Sequence, residues 1–264
     1  MNYADNFGFQ WNRFDKTQLH PQSSEMFWRL TGWTSEELDG VDILEVGSGA
    51  GRFSRVILEE TQANLYSFDS SSAVDANQRN NGHIAPARFH LARGDLYAIP
   101  FDRKFDKVFC RGVLQHTPDV PRSIECLVDA ARPGGEIVVD FYLRRPWTKL
   151  HAKYALRPIT SRMRHDRLLR AIEANVGWLM TAHDGLSRFG LHALTRLLPV
   201  VDLQTLPDLP EDHRREWAIL DTFDMLSPQY DQPQRTRDVI AMFGNSGASV
   251  THAEPGLVRA RRSV

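Results

Sequence analysis

From about residue 41 to 143, short apolar runs alternate with polar stretches of helical spacing, which is how successive strand–helix units of a parallel sheet read. The runs that predict strands are Asp42–Val46, Asn64–Asp69, 87–92, 107–112 and 136–142. Glycine-rich turns, or the Pro133-Gly134-Gly135 triplet, separate several of them from the helical stretches. From about 144 to 234 the alternation stops. Leu169, Ile172, Val176, Leu179 and Met180 recur at helical spacing after a start signal at Thr160-Ser161, and Leu191, Leu194, Leu197 and Leu198 repeat the pattern after Gly190. A helical insertion is expected there. The strand pattern then resumes, with 235–243 reading as a helix stopped by Gly244, and 249–253 and 257–260 as two strands joined at Pro255-Gly256. The expected organisation is an N-terminal helical and aromatic cap (1–40), a ligand-binding core (41–143), a helical lid over the substrate (144–234) and a closing helix with two strands (235–264).

The most specific string is Ile43-Leu44-Glu45-Val46-Gly47-Ser48-Gly49-Ala50-Gly51-Arg52-Phe53, an apolar strand that runs into three alternating glycines and then a helix. One glycine suffices for a turn. Three allow the backbone to approach a ligand closely while the next helix presents unpaired N–H groups. A dinucleotide fingerprint would carry G-x-G-x-x-G, but Arg52 stands where its third glycine should be, which argues against an NAD-dependent oxidoreductase, as does the lack of a Tyr-x-x-x-Lys pair.

With the spacing G-x-G-x-G and an acid two residues ahead of it, the segment resembles the class I S-adenosylmethionine-dependent methyltransferases. Three further strings carry the resemblance: Tyr66-Ser67-Phe68-Asp69, Arg93-Gly94-Asp95-Leu96, and the run from Phe105 to His116 followed by Arg132-Pro133-Gly134-Gly135. It implies a Rossmann-like fold, a mostly parallel seven-stranded sheet with helices on both faces and the insertion after the fifth strand. It also implies S-adenosylmethionine as cofactor, with Glu45, Gly47, Gly49, Gly51, Asp69, Ser70, Asp95, Leu96, Arg111 and Trp11 at its site. Asp69 would hold the ribose diol, Asp95 would accept from the adenine amine, and Leu96 would pack on the ring. The aromatic string Phe7 to Phe14 is too apolar for a solvated tail; it would fold across the cofactor mouth, with Trp11 shielding the sulfonium, or pack on the insertion. Asp69 and Asp95 also have local readings, as a helix cap and a turn residue.

Methyl transfer requires a nucleophile held in line, dryness and, for a hydroxyl acceptor, a base. His116, in Leu114-Gln115-His116-Thr117-Pro118 after the fourth strand, is the candidate catalytic residue; Tyr142, His183, Asp224 and Tyr230 are candidate substrate contacts. No metal-ligand spacing is present.

Composition narrows the partners more than the reaction. The 264 residues are 42% hydrophobic and 25% charged, with a net charge of −1, so no global field draws in nucleic acid or an anionic membrane and a charged partner must meet a local patch. Such a patch exists: 144–170 holds nine Arg or Lys against Asp166 alone, while 202–231 holds eight acids against Arg214 and Arg215. Either these are solvated faces, or the basic run forms a rim for a phosphorylated or carboxylated small-molecule or saccharide acceptor. For a neutral acceptor, a pocket is expected near Trp178, Phe189 and Phe223. Nucleic acid is not expected, since Trp147 and Tyr154 are too few for a stacking platform. Cys110 and Cys126 match no metal or redox spacing, no secretory signal opens the chain and no run reaches 18 apolar residues, so the cytoplasm is the expected compartment. The competing functional reading is a non-catalytic partner subunit that binds S-adenosylmethionine or S-adenosylhomocysteine.

Overall fold

The computed structural model describes residues 3–13, 20–201 and 211–264, with side chains from residue 22 in the second segment and 214 in the third. Phe14 and the acids Asp202, Asp208, Glu211 and Asp212 fall outside the described side chains. The chain divides into two compact units, Met1–Arg144 with Tyr230–Val264, and Arg145–Gln229.

The first unit contains α1 (Asp5–Arg13), α2 (His20–Thr31), β1 (Asp42–Val46), α3 (Arg52–Glu60), β2 (Asn64–Asp69), α4 (Ala73–Asn81), β3 (Phe89–Arg93), β4 (Phe105–Cys110), α5 (Val120–Ala130) and β5 (Ala131–Asp140). One seven-stranded sheet runs in the order β3-β2-β1-β4-β5-β7-β6. Its strands β1 to β5 are parallel, and β7 is antiparallel to both β5 and β6. Burial alternates with the strand period. Leu44 and Val46 join Val108, Cys110, Ile137 and Val139 in one core layer, while Ile43, Phe109 and Val138 face Phe27, Trp33, Phe53 and Ile57 in the other. Every residue of β1 is buried, as expected of a central strand covered on both faces.

Boundaries shift where tertiary pairing overrides the local pattern. β4 and β5 begin earlier than their apolar runs because Phe105 pairs with Ala131, and β4 stops at Cys110 because Gly112 turns out of the sheet at φ 70°. β3 runs from 89 to 93, not 87 to 92, in register with β2 from Leu65 to Asp69. The closing elements are α9 (Thr236–Asn245), β6 (Ala248–Glu254) and β7 (Leu257–Arg262).

The second unit holds α6 (Lys153–Thr160), α7 (His165–Arg188) and α8 (Glu211–Leu226). Leu168, Leu169, Ile172, Val176, Leu179 and Met180 form the buried side of α7, which packs on α8. Inside the unit, Arg157 donates to the carbonyls of Met225 at 3.0 Å and Pro228 at 2.8 Å. Two sequence signals misled. Thr160 ends α6, its hydroxyl and that of Ser161 donating to the carbonyls of Leu226 and Arg157, and α7 starts only at His165. The leucines from 191 to 198 form only a 3-10 turn, Leu194–Leu197, because Leu198 precedes Pro199 and is extended. Phe223 is buried, whereas Trp178 and Phe189 are exposed.

Candidate functional site

The loop after β1 is built by close contacts that only glycine permits. Gly47 and Gly51 have φ of 72° and 85°, and a Cβ at either would collide, with Val113 in the first case and with the amides of Asn77 and Asn81 in the second. Beneath the loop Glu45 is buried, accepting from the Ser54 hydroxyl at 2.5 Å and the Ser67 hydroxyl at 2.7 Å. Burial pushes its pKa up to about 7 against the pull of those two donors. Asn77 donates to Ser54, and Asn81 donates to the Gly51 carbonyl at 2.9 Å, so a buried polar chain joins Glu45 to the loop. Glu45 therefore supports the loop from below.

Asp69, at the end of β2, is 7% exposed. One carboxylate oxygen accepts from the Gly49 N–H at 3.0 Å, and the other from the N–H and hydroxyl of Ser71 at 2.8 and 2.6 Å. It closes a local turn and holds the glycine loop, and it does not cap α4, whose preceding residue is Ser72. Asp95 accepts from the Tyr97 N–H at 2.9 Å and from the Tyr3 phenol at 3.1 Å. Leu96 is buried within the core layer around β4 and β5. Ser70 bonds to Tyr3, and Arg111 stacks over Phe53 at 5.1 Å and lies 3.6 Å from Asp140.

Helix α1 packs against the glycine loop, the turn before α4 and His116. The Trp11 ring lies 3.1 Å from where a Gly49 Cβ would stand, Gly8 is pressed against Ser72, and Asn12 donates to the Ser72 carbonyl at 2.8 Å. The Phe7 ring sits 5.1 Å from that of His116. On its other side His116 meets Tyr142, 5.5 Å away, and its Nδ1 is 3.1 Å from the Tyr230 carbonyl. A carbonyl only accepts, so Nδ1 is the donor of this pair.

Residues 44–139 match the family model described as a methyltransferase domain. The fold around this stretch is that of a class I methyltransferase domain. A tRNA U34 carboxymethyltransferase of Nautilia profundicola is 31% identical over 104 residues, 39% of this chain and 35% of that protein. Phosphoethanolamine N-methyltransferase 2 of Caenorhabditis elegans is 26% identical over 106 residues, 39% of this chain and 24% of that protein. The chain therefore spans less than half the length of these curated relatives. A magnesium protoporphyrin IX methyltransferase from Synechocystis PCC 6803, solved with S-adenosylhomocysteine bound, superposes with a TM-score of 0.54 at 15% identity, covering 99% of this chain and 97% of that one. This last likeness speaks for the fold. The relatives' names include a tRNA nucleotide among their acceptors, so the expectation against nucleic acid has no support from them.

Three residues of the methyltransferase core at this edge were not singled out from the sequence. Tyr3 lies outside the aromatic string and reaches Asp95 only through the fold. Asp140 ends β5 and accepts from the Gly112 N–H at 2.5 Å; burial raises its pKa, opposed by Arg111 and His116. Its signal was present as the one acid interrupting an apolar run. Gln115 is fully buried, and neither its amide oxygen nor its nitrogen has a hydrogen-bond partner, a condition shared by the Ser48 hydroxyl of the glycine loop. The two loops that carry them touch through Gly47 and Val113. Buried polar atoms left without partners beside a glycine loop fit a polar ligand such as the cofactor this class uses. His183 and Asp224 belong to the Arg145–Gln229 unit.

Proposed function

We propose that this protein transfers the methyl group of S-adenosylmethionine to a hydroxyl or amine of a small molecule or saccharide, with His116 as the base. The cofactor supplies an already activated methyl group, so the chain's tasks are to bind, align, exclude water and take a proton. Asp69 and Asp95 are the carboxylates for the ribose diol and the adenine amine, with Ser48 and Gln115 as further polar contacts. Trp11 and Phe7 on α1 keep water from the edge of the sheet. The acceptor's proton passes to Nε2 of His116 as its oxygen or nitrogen bonds to the methyl carbon and the carbon–sulfur bond breaks. The imidazolium so formed keeps its Nδ1–H on the Tyr230 carbonyl.

The observation that carries this reading is the placement of His116 directly after β4, 5% exposed, with Nδ1 on the Tyr230 carbonyl and its ring against Phe7 and Tyr142. The test has two stages. Calorimetry with S-adenosylmethionine, S-adenosylhomocysteine and NAD should show saturable binding of the first two only. Turnover of a methyl-labelled cofactor against metabolite, saccharide and tRNA panels should then label a hydroxyl or amine of a small molecule or saccharide. With that acceptor, His116→Asn should lower kcat about 100-fold or more and leave cofactor affinity unchanged. Binding without turnover on any panel would make the protein a non-catalytic partner subunit, and labelling of tRNA alone would replace the acceptor class.

A further inference from the structure

The Arg145–Gln229 unit carries an unusual surface for a water-soluble fold. Phe189 is 83% exposed, Leu150 70%, Ile159 67% and Leu197 61%, with the indoles of Trp147 and Trp178 also open to solvent. Scattered apolar residues need no explanation, but a concentration of large ones in one unit marks an interaction site. Trp178 and Phe189 are eleven residues apart on and just beyond α7, which places them on the same side of the helix about three turns apart.

Two of the stretches that carry this surface hold charge of a single sign. Neither 144–165 nor 185–201 contains an Asp or Glu, while Lys149, Arg188 and Arg196 lie among the exposed apolar residues. The fold joins these two acid-free stretches: the Ala152 N–H donates to the Arg196 carbonyl at 2.9 Å, and the Arg196 guanidinium stands over the Trp147 ring at 5.5 Å. Trp, Phe and Leu beside Lys and Arg, without acids, is the composition of surfaces that lie in the interfacial zone of an anionic bilayer.

We propose that this unit docks peripherally on an anionic lipid surface, with Leu150, Phe189 and Leu197 entering the acyl boundary and Lys149, Arg188 and Arg196 meeting headgroup phosphates. A second copy of the chain fits less well, since two such faces would bring like charges together. RNA would use the cations but gains little from exposed leucine and isoleucine, which do not stack on bases. The contact is interfacial, and no helix among the described residues is long and apolar enough to cross a membrane. It is independent of the methyl-transfer reading.

The test is flotation of the full chain with vesicles of pure phosphatidylcholine and of phosphatidylcholine with 30% phosphatidylglycerol. At least five times more protein should float with the anionic vesicles, and brominated acyl chains should quench its tryptophan fluorescence. Substituting Leu150→Ser, Phe189→Ser and Leu197→Ser together should cut flotation about tenfold, as should Lys149→Gln with Arg188→Gln and Arg196→Gln. Melting curves matching the parent's would show both variants folded. Equal recovery on the two vesicle types, quenching absent from the parent, or full flotation of a folded serine variant would each overturn the proposal. Binding of tRNA without binding of anionic vesicles would overturn it in favour of a nucleic-acid surface.

Discussion

The Tyr3 phenol donates a hydrogen bond to the Asp95 carboxylate at 3.1 Å, joining residues 92 positions apart in the chain. Burial and the carboxylate together raise the phenol's pKa, so it stays a donor across the physiological range. If Asp95 is the acid that receives the adenine amine, this phenol competes for one of its oxygens. Tyr3→Phe should then tighten S-adenosylmethionine binding by about 3- to 10-fold in calorimetry, a net hydrogen bond's worth. Unchanged or weaker binding would show that Tyr3 supports the site.

The raised pKa of Glu45 makes stability depend on pH in a defined direction. The folded protein keeps this proton up to about pH 7, whereas the unfolded chain releases it near 4.5. Folding therefore binds an extra proton within that window, and this contribution is present in full below it and is lost as pH rises to 7. The change is about 3 kcal/mol by the usual conversion of pKa shift to free energy. Urea unfolding at pH 5 and pH 8 should show Glu45→Gln flattening the pH dependence and exceeding the parent's stability at pH 8.

Gly51 and Gly134 both have positive φ, 85° and 77°, but only Gly51 has side chains where a Cβ would go. Gly134→Ala should cost only the backbone strain, about 1 kcal/mol, and Gly51→Ala roughly 2–4 kcal/mol because Asn77 and Asn81 must also move. Equal losses in denaturant midpoint would mean that the polar chain beneath the loop adapts freely.

Removing the Asp69 carboxylate leaves the N–H groups of Gly49 and Ser71 without their acceptor. Asp69→Ala should lower the melting temperature and weaken S-adenosylmethionine binding about 10- to 100-fold, the range for a hydrogen bond to a charged group. A melting shift with intact affinity would confine Asp69 to the turn.

Local chemistry made part of this molecule legible in its residues alone. β1 and β2 begin and end where their runs in the sequence do, because each is rich in residues that suit a buried strand and ends where the chain must turn. The glycine loop was equally plain, since glycine takes positive φ without steric cost. Long-range pairing decided the rest. Ala131 becomes strand because Phe105 stands beside it, and Leu191, Leu194 and Leu197 stay exposed, their helical spacing cut short by Pro199. The contacts that turn a glycine loop into a candidate site, Tyr3 on Asp95, Trp11 on Gly49, and Phe7 and Tyr230 on His116, join segments distant in the chain. No periodicity encodes such meetings. They arise when parallel strands bring all their C-terminal ends to one edge and the two chain segments that flank the core close over it.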